Sequence, residues 1–85
     1  MTMFKKGDLV RWYPEYDNWI DYELAYFDSY AKEDPDSCYI YEVNNTLTGW
    51  YTDVNQVKKS TSKDVDLFLM NIFTIRDEEN LREEC

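Results

Sequence analysis

The predicted fold depends most on the stretch Trp19-Ile20-Asp21-Tyr22-Glu23-Leu24-Ala25-Tyr26-Phe27-Asp28. Its apolar and aromatic residues recur at every second position, and Asp21 and Glu23 fall between them. Alternation with a period of two is typical of a strand with one buried face. The alternation changes phase at Phe27-Asp28, which predicts a β-bulge that bends the strand. A bent strand of this kind is expected in a small, strongly curved or closed sheet.

Four shorter strands are predicted around this one. They lie at Leu9–Tyr13, Cys38–Val43, Leu47–Thr52 and near Lys58-Lys59. Each is rich in β-branched or aromatic residues or is bounded by turn residues such as Pro14 and the polar loop 32–37. Val54 and Val57 have the spacing of one tight helical turn before the last strand. Five short strands predict either a small barrel or a strongly bent antiparallel sheet.

The composition changes after Ser60. Thr61 and Asp64 have the spacing of a capping box, which begins a helix. Apolar residues then recur at helical spacing, at Val65, Phe68, Leu69, Ile72 and Phe73. A strand is the alternative for residues 64–74, since Val65, Leu67 and Leu69 also alternate. We predict one mostly β domain with a C-terminal helix (α+β), in which residues 1–60 form the β unit and residues 61–85 form the helix and an acidic tail.

The composition excludes several classes of function. The 85 residues include 18 Asp and Glu, 9 Lys and Arg and no His, which gives a net charge of -9. Without imidazole, Ser-His-Asp catalysis, Cys-His catalysis and zinc sites that need histidine are excluded. A strongly acidic chain also repels the phosphate backbone, so no direct binding to nucleic acid is expected. We predict that the protein is not an enzyme, uses no cofactor and binds a basic partner protein.

Cysteine usage and hydropathy indicate the compartment. Cys38 and Cys85 are predicted to be free thiols in a reducing cytoplasm, because a bond to the terminal Cys85 would only tether a tail. No apolar run approaches the roughly 20 residues of a membrane span. The acidic pairs Asp64-x-Asp66 and Asp34-Pro35-Asp36 are incomplete as metal sites, since the glycine and closing glutamate of a calcium loop are missing. No metal is therefore predicted.

Two stretches carry a resemblance to a known fold. Phe4-Lys5-Lys6-Gly7-Asp8-Leu9-Val10-Arg11-Trp12 and Gly49-Trp50-Tyr51-Thr52-Asp53-Val54-Asn55-Gln56-Val57 resemble small barrels of the Src-homology-3-like (SH3-like) class. In those barrels a Lys-Gly-Asp turn opens the first strand, and a Gly-Trp strand runs into a short helical turn. The resemblance covers residues 4–60 and implies the fold, but the Ala-Leu-Tyr-Asp-Tyr signature of proline-peptide binders is missing. The acidic, tyrosine-rich chain with its Met-Phe-Lys-Lys-Gly-Asp start is also similar to small bacteriophage early proteins.

Charge and tyrosine are unevenly distributed along the chain. Ten carboxylates lie between Trp12 and Val57, against the single cation Lys32. Five cations are expected to come together if the terminal strands pair, namely Lys5, Lys6, Arg11, Lys58 and Lys59. Several carboxylates recur at i and i+2, which on a strand places them roughly 6.6–6.8 Å apart, a spacing comparable to that of DNA phosphates. The sequence therefore predicts a broad acidic face and a small basic end.

Eight tyrosines are too many for a core of this size, so some are expected on a binding surface. Trp12, Tyr22 and Tyr26 are assigned to the core, and Tyr39 and Tyr51 are left unassigned. Together with the carboxylates, the predicted partner-binding residues are Glu15, Asp17, Asp21, Glu23, Asp34, Asp36, Glu42, Tyr13, Tyr16, Tyr30 and Tyr41.

The leading hypothesis is an inhibitor that mimics nucleic acid and blocks the basic surface of a nucleic-acid-binding enzyme. A phage protein directed at a restriction nuclease or a CRISPR effector is the expected setting, in the cytoplasm of the host. The alternative is an SH3-like adaptor that binds a protein or peptide segment through an aromatic groove. A bacterial immunity protein against a nuclease toxin would use the mechanism of the first hypothesis.

Overall fold

The computed structural model describes residues 4–15 and 18–76 of the chain. These residues form six strands, one 3₁₀ turn and one helix. The elements are β1 (Leu9–Trp12), β2 (Asp21–Tyr30), β3 (Ser37–Glu42), β4 (Gly49–Asp53), the 3₁₀ turn (Val54–Gln56), β5 (Val57–Lys59), α1 (Ser62–Leu69) and β6 (Thr74–Arg76). The predicted mostly β fold with a helix near the C-terminus is confirmed. The acidic tail that was predicted beyond them lies outside the described residues.

All the strands pair in antiparallel fashion, in the order β4-β3-β2-β1-β5, and β6 pairs with β2. Glu23 of β2 has Trp12 of β1 on one side and Thr74 of β6 on the other. β6 therefore lies on the same edge of β2 as β3, in line with it. The end strands β4 and β5 do not pair with each other, so the sheet is open. Of the two architectures predicted, the structure has the bent antiparallel sheet.

The predicted bulge in β2 is confirmed. Phe27 pairs with Ile40, and the register then shifts so that Ser29 pairs with Tyr39. The extra residue brings Tyr30 onto the same face as Phe27, and their ring centroids are 4.9 Å apart. The prediction that Tyr30 belongs to a surface patch is wrong, because the bulge inverts the alternation beyond it. Tyr30 is half-buried, and its hydroxyl accepts a hydrogen bond from the backbone N–H of Phe4 at 2.9 Å.

The two faces of the sheet each carry a hydrophobic cluster. The cluster on the inner face contains Phe4, Val10, Trp12, Ala25, Phe27, Cys38, Ile40 and Val57. The cluster on the outer face contains Tyr13, Tyr22, Leu24 and Ile75, with Leu67, Phe68 and Phe73 packed against it. The core residues Trp12 and Tyr22 are buried as predicted but lie on opposite faces. Tyr26 is only half-buried, beside Phe68 on the outer face.

Helix α1 covers the outer face, and its start was predicted correctly. The carboxylate of Asp64 accepts a hydrogen bond from the backbone N–H of Thr61 at 2.8 Å, which is one half of the capping box. The helix ends early because Asn71 adopts a left-handed conformation with φ 62. The backbone N–H groups of Asn71 and Ile72 then donate to the carbonyls of Phe68 and Leu67, as in a Schellman motif.

The predicted apolar face of the helix needs correction. Ile72 and Phe73 lie beyond the helix, and Val65 and Leu69 are 44% and 72% exposed. Of the predicted helical positions, Phe68 does face the sheet, where it is joined by Leu67 and the fully buried Asp64. Strand β6 was not predicted, and it adds the buried Ile75 to the outer cluster.

Candidate binding cleft

A cleft of about 710 Å³ opens on the inner face, between edge strand β4 and the end of β1. It forms because the sheet bends without closing, which leaves the edge of β4 facing β1 across a gap. The cleft is lined by Trp12, Pro14, Glu23, Ser37, Glu42, Trp50, Tyr51, Thr52, Asp53 and Gln56. Its lining therefore combines aromatic rings with carboxylates.

Side chains bridge the gap where main-chain pairing stops. The indole Nε1 of Trp12 donates to the hydroxyl of Thr52 at 3.2 Å. The Thr52 hydroxyl donates to the side-chain oxygen of Gln56 at 3.3 Å, and the Gln56 amide donates to the carbonyl of Tyr13 at 2.9 Å. These bonds connect β4, the 3₁₀ turn and the end of β1. They fix the floor of the cleft, because each partner is on a different element.

Four of the lining residues lie together on the inner face of neighbouring strands, and we call them the Trp–Glu box (Trp12, Glu23, Glu42 and Trp50). Trp12 and Glu23 are directly opposed on β1 and β2. Glu42 opposes Ala25, two residues along from Glu23, so the two carboxylates are diagonal neighbours on one face. The indole Nε1 of Trp50 donates to Glu42 at 2.8 Å. The rings of Trp50 and Trp12 stack with centroids 5.6 Å apart, so Trp50 contacts both another indole and a carboxylate of the box.

The carboxylates of the box lie outside ion pairs. Within the described residues, cations approach a carboxylate within 4.0 Å at Lys6–Asp28 and at Arg11–Asp64. Burial and the nearby charge of Glu42 raise the pKa of Glu23, and Arg76 opposes them only in part. The fold therefore holds two neighbouring carboxylates in a partly dehydrated place, with no ion-pair partner among residues 4–15 and 18–76.

Other proteins give no further guide to this site. Compared with protein-family models, with curated proteins and with solved structures, the chain matches none. The likeness to SH3-like barrels and to phage proteins therefore stays a prediction. Among the described residues no helix is long and apolar enough to cross a membrane.

The structure distributes the predicted carboxylates over several places. Glu23 and Glu42 line the cleft. Asp21 lies on the same face of β2 as Glu23, but it is held by Asn18, whose side-chain amide donates to it at 3.2 Å. Asp34 closes the β2–β3 loop by accepting hydrogen bonds from the backbone of Asp36 and the hydroxyl of Ser37. Glu15 and Asp36 are exposed in loops, and Asp17 lies outside the described residues.

The predicted tyrosine patch is also divided. Tyr13 is only 7% exposed and packs between Trp19 and Tyr22, so its assignment to the surface is wrong. Tyr13 follows β1 directly, on the side opposite to Trp12, and it packs in the outer cluster beside β6 and α1. Tyr41 is exposed on the outer face of β3, next to the exposed pair Tyr39 and Tyr51. Tyr16 lies outside the described residues.

Several lining residues were missed as candidates. Trp50, Tyr51 and Asp53 come from β4, and Trp12 was assigned only to the core. The signal was present in Gly49-Trp50-Tyr51, where consecutive aromatic residues must point to opposite faces of one strand. At most one of them could enter the core of a small sheet, and Trp50 and Tyr51 are in fact 45% and 52% exposed.

The predicted basic end is smaller than expected. β1 and β5 do pair, and Lys58 and Lys59 are exposed beside them. Arg11, however, is withdrawn from this surface, because its Nε donates to Asp64 at 2.6 Å and its guanidinium covers the ring of Tyr22 at 4.2 Å.

The Asp64-x-Asp66 pair has no free carboxylate oxygens to offer a metal at Asp64. Besides Arg11 and Thr61, the hydroxyl of Tyr22 donates to Asp64 at 2.6 Å. Among the described residues, no group of three or more Cys, Asp or Glu side chains is placed to hold a metal ion.

Proposed function

We propose that the protein is a non-catalytic binding module whose cleft takes a basic, extended segment of a partner protein. The observation that carries this proposal is the Trp–Glu box, where two carboxylates that form no ion pair with any described residue lie beside stacked indole rings. Carboxylates attract a cationic side chain, and indole faces add a cation–π attraction of roughly 0.5–2 kcal/mol. The proposal keeps the aromatic groove for a protein or peptide segment that the sequence offered as the alternative, and it adds a role for the carboxylates in attracting a basic ligand.

An exposed ring supplies the apolar part of such an interaction. Trp50 is about half exposed where it lines the cleft on the inner face, so a bound segment would remove its surface from water. Tryptophan and tyrosine are the residues that most often dominate binding energy when a partner covers them. The net charge of -9 would also accelerate the approach of a basic partner at low ionic strength.

An inhibitor that mimics nucleic acid is the second candidate. It is favoured by the excess of carboxylates outside ion pairs, which include exposed loop residues such as Glu15 and Asp36. Its partner would be a basic nucleic-acid-binding enzyme, in the setting of a phage protein that opposes restriction or CRISPR defence. The cleft supports the first proposal better, because the described carboxylates are divided among the cleft, the turns and an anchor on the outer face.

A pull-down from bacterial lysate, at low and at high salt, tests both candidates with two matched variants. Trp50→Ala removes the rim of the cleft, and the double variant Glu15→Lys/Asp36→Lys reverses charge in exposed loops. The cleft proposal expects a partner that is lost with Trp50→Ala, retained by the double variant and not displaced by DNA. A partner that shows the reverse pattern, with retention that falls steeply with salt, would replace it with nucleic-acid mimicry.

A further inference from the structure

We infer that the segment bound in the cleft presents an arginine, whose guanidinium enters the Trp–Glu box. This inference rests on the proposed function and specifies the side chain that the cleft recognises. It depends on the combination of two diagonal carboxylates with two stacked indoles at one position on the inner face.

The indoles favour a flat cation. Trp12 and Trp50 stack with an interplanar angle of 29°, and Trp50, which lines the cleft, keeps 45% of its surface exposed. A guanidinium is planar and weakly hydrated, so it can lie against an indole face with little loss of solvation. The ammonium of lysine is compact and strongly hydrated, and it gains less from such a surface.

The carboxylates favour a cation with several donors. One oxygen of Glu42 is oriented by the indole N–H of Trp50 at 2.8 Å, which fixes the direction of the carboxylate. Glu23 is its diagonal neighbour on β2, and each carboxylate has further acceptor positions. The five N–H donors of a guanidinium can bond to two carboxylates at the same time, whereas an ammonium acts as a point charge.

The electrostatics of the box favour binding of a cation. The raised pKa of Glu23 is caused first by burial and then by the charge of Glu42. Both causes disfavour ionisation, and a guanidinium between the two carboxylates would reverse the second. Arg76 on β6 lowers the pKa of Glu23 only in part, and the ion pairs within 4.0 Å among the described residues do not include these two side chains.

NMR spectroscopy of the full chain tests the inference directly. The indole N–H signals of Trp12 and Trp50 are followed while N-acetyl-arginine methylamide or N-acetyl-lysine methylamide is added. We expect saturable shifts of both signals with the arginine probe and binding several-fold weaker with the lysine probe. Glu23→Gln and Glu42→Gln should each weaken arginine binding at least about tenfold, as expected for the loss of a charge-assisted hydrogen bond. Dispersed spectra of both variants would establish that they fold.

Asp66→Asn is the matched control, because it removes one charge from an exposed helical position away from the cleft. It should leave the arginine titration unchanged. Equal binding of the two probes, or equal weakening by Asp66→Asn, would overturn the inference. If neither probe shifts the indole signals while Trp50→Ala still loses the lysate partner, the inference is wrong and the proposed function stands. If Trp50→Ala keeps that partner, the proposed function itself fails.

Discussion

The carboxylates on the two faces of the sheet differ in how many bonding partners the fold gives them. On the outer face, Asp64 is fully buried and receives hydrogen bonds from Arg11, Tyr22 and the backbone of Thr61 at 2.6–2.8 Å. On the inner face, Glu23 has Glu42 as a neighbour and forms no ion pair within the part of the chain that the structure describes. The bonds of Asp64 hold the helix against the sheet. The carboxylates of Glu23 and Glu42 repel each other and would be stabilised by a nearby positive charge. The contrast separates a carboxylate that holds the fold from one that is available for binding.

The largest expected effect is on the outer face. Asp64→Ala leaves the half-buried guanidinium of Arg11 without its partner and removes the helix cap at Thr61. Loss of one member of a buried ion pair typically costs about 3–5 kcal/mol. Urea unfolding should show a decrease of that size in the free energy of unfolding. Asp66→Ala, two residues away on the exposed side of the helix, should change it by less than about 0.5 kcal/mol. Similar losses for both variants would contradict the role assigned to Asp64.

The next effect concerns binding rather than stability. Trp50→Ala should weaken binding of the lysate partner by about 2 kcal/mol or more, because it removes the half-exposed ring on the rim of the cleft. The cost to folding should be smaller, at about 0.5–1.5 kcal/mol for the lost aromatic pair with Trp12. Calorimetric titration and thermal unfolding of the same variant separate the two. Tyr39→Ala on the outer face should leave binding intact, and a loss of binding there would move the site to that face.

The features that depend on a few neighbouring residues could be predicted from the sequence, and those that depend on contacts between distant residues could not. The alternation of β2 predicts its strand and its bulge, and the spacing of Thr61 and Asp64 predicts the helix start, since each signal spans only a few residues. The burial of Asp64 depends on Arg11, which lies 53 residues earlier. The three residues of β6 have little pattern of their own, and their strand forms because Ile75 pairs beside Tyr22.

The cleft was missed for a related reason. Alternation shows to which side of its own strand Trp12 or Glu23 points. It does not show that the two residues are paired directly across β1 and β2. The sequence also leaves open whether the sheet closes, and the cleft exists only because it does not. Acidic residues were therefore grouped by their spacing along the chain, whereas the box joins residues from four strands.

Lowering the pH should change the contributions of Asp64 and Glu23 to the free energy of unfolding in opposite directions. Burial alone would raise the pKa of Asp64, but the hydrogen bonds from Arg11, Tyr22 and Thr61 hold it below its usual value of 3.8. The stability that Asp64 contributes is therefore present above pH 3.8 and is lost as the pH falls through its lower value in the folded protein. Unfolding free energies of the wild type and of Asp64→Asn should differ most near neutral pH and converge in acid. A difference that stays constant down to low pH would show that the ionised carboxylate is not what stabilises the anchor.

The smallest expected change in the free energy of unfolding is a gain. Glu23→Gln should stabilise the protein, whereas most substitutions destabilise one. Since the pKa of Glu23 is raised in the fold, its ionised form is disfavoured there relative to the unfolded chain, and protonation favours folding. Removing the charge relieves the repulsion between diagonal carboxylates, an effect of roughly 0.2–1 kcal/mol. The gain should be seen at neutral pH and should disappear as the pH falls through the raised pKa, where the wild-type carboxyl is already neutral.

The same substitution should weaken binding of the arginine probe, which makes the two measurements informative together. A side chain that lowers stability and strengthens binding is retained for function at the expense of the fold. Asp66→Asn, with the same change of charge on the exposed side of α1, should show neither effect. If Glu23→Gln destabilises the protein at neutral pH, the carboxylate is satisfied within the fold. Glu23 would then stabilise the fold, as Asp64 does, and it would not be a carboxylate kept for binding.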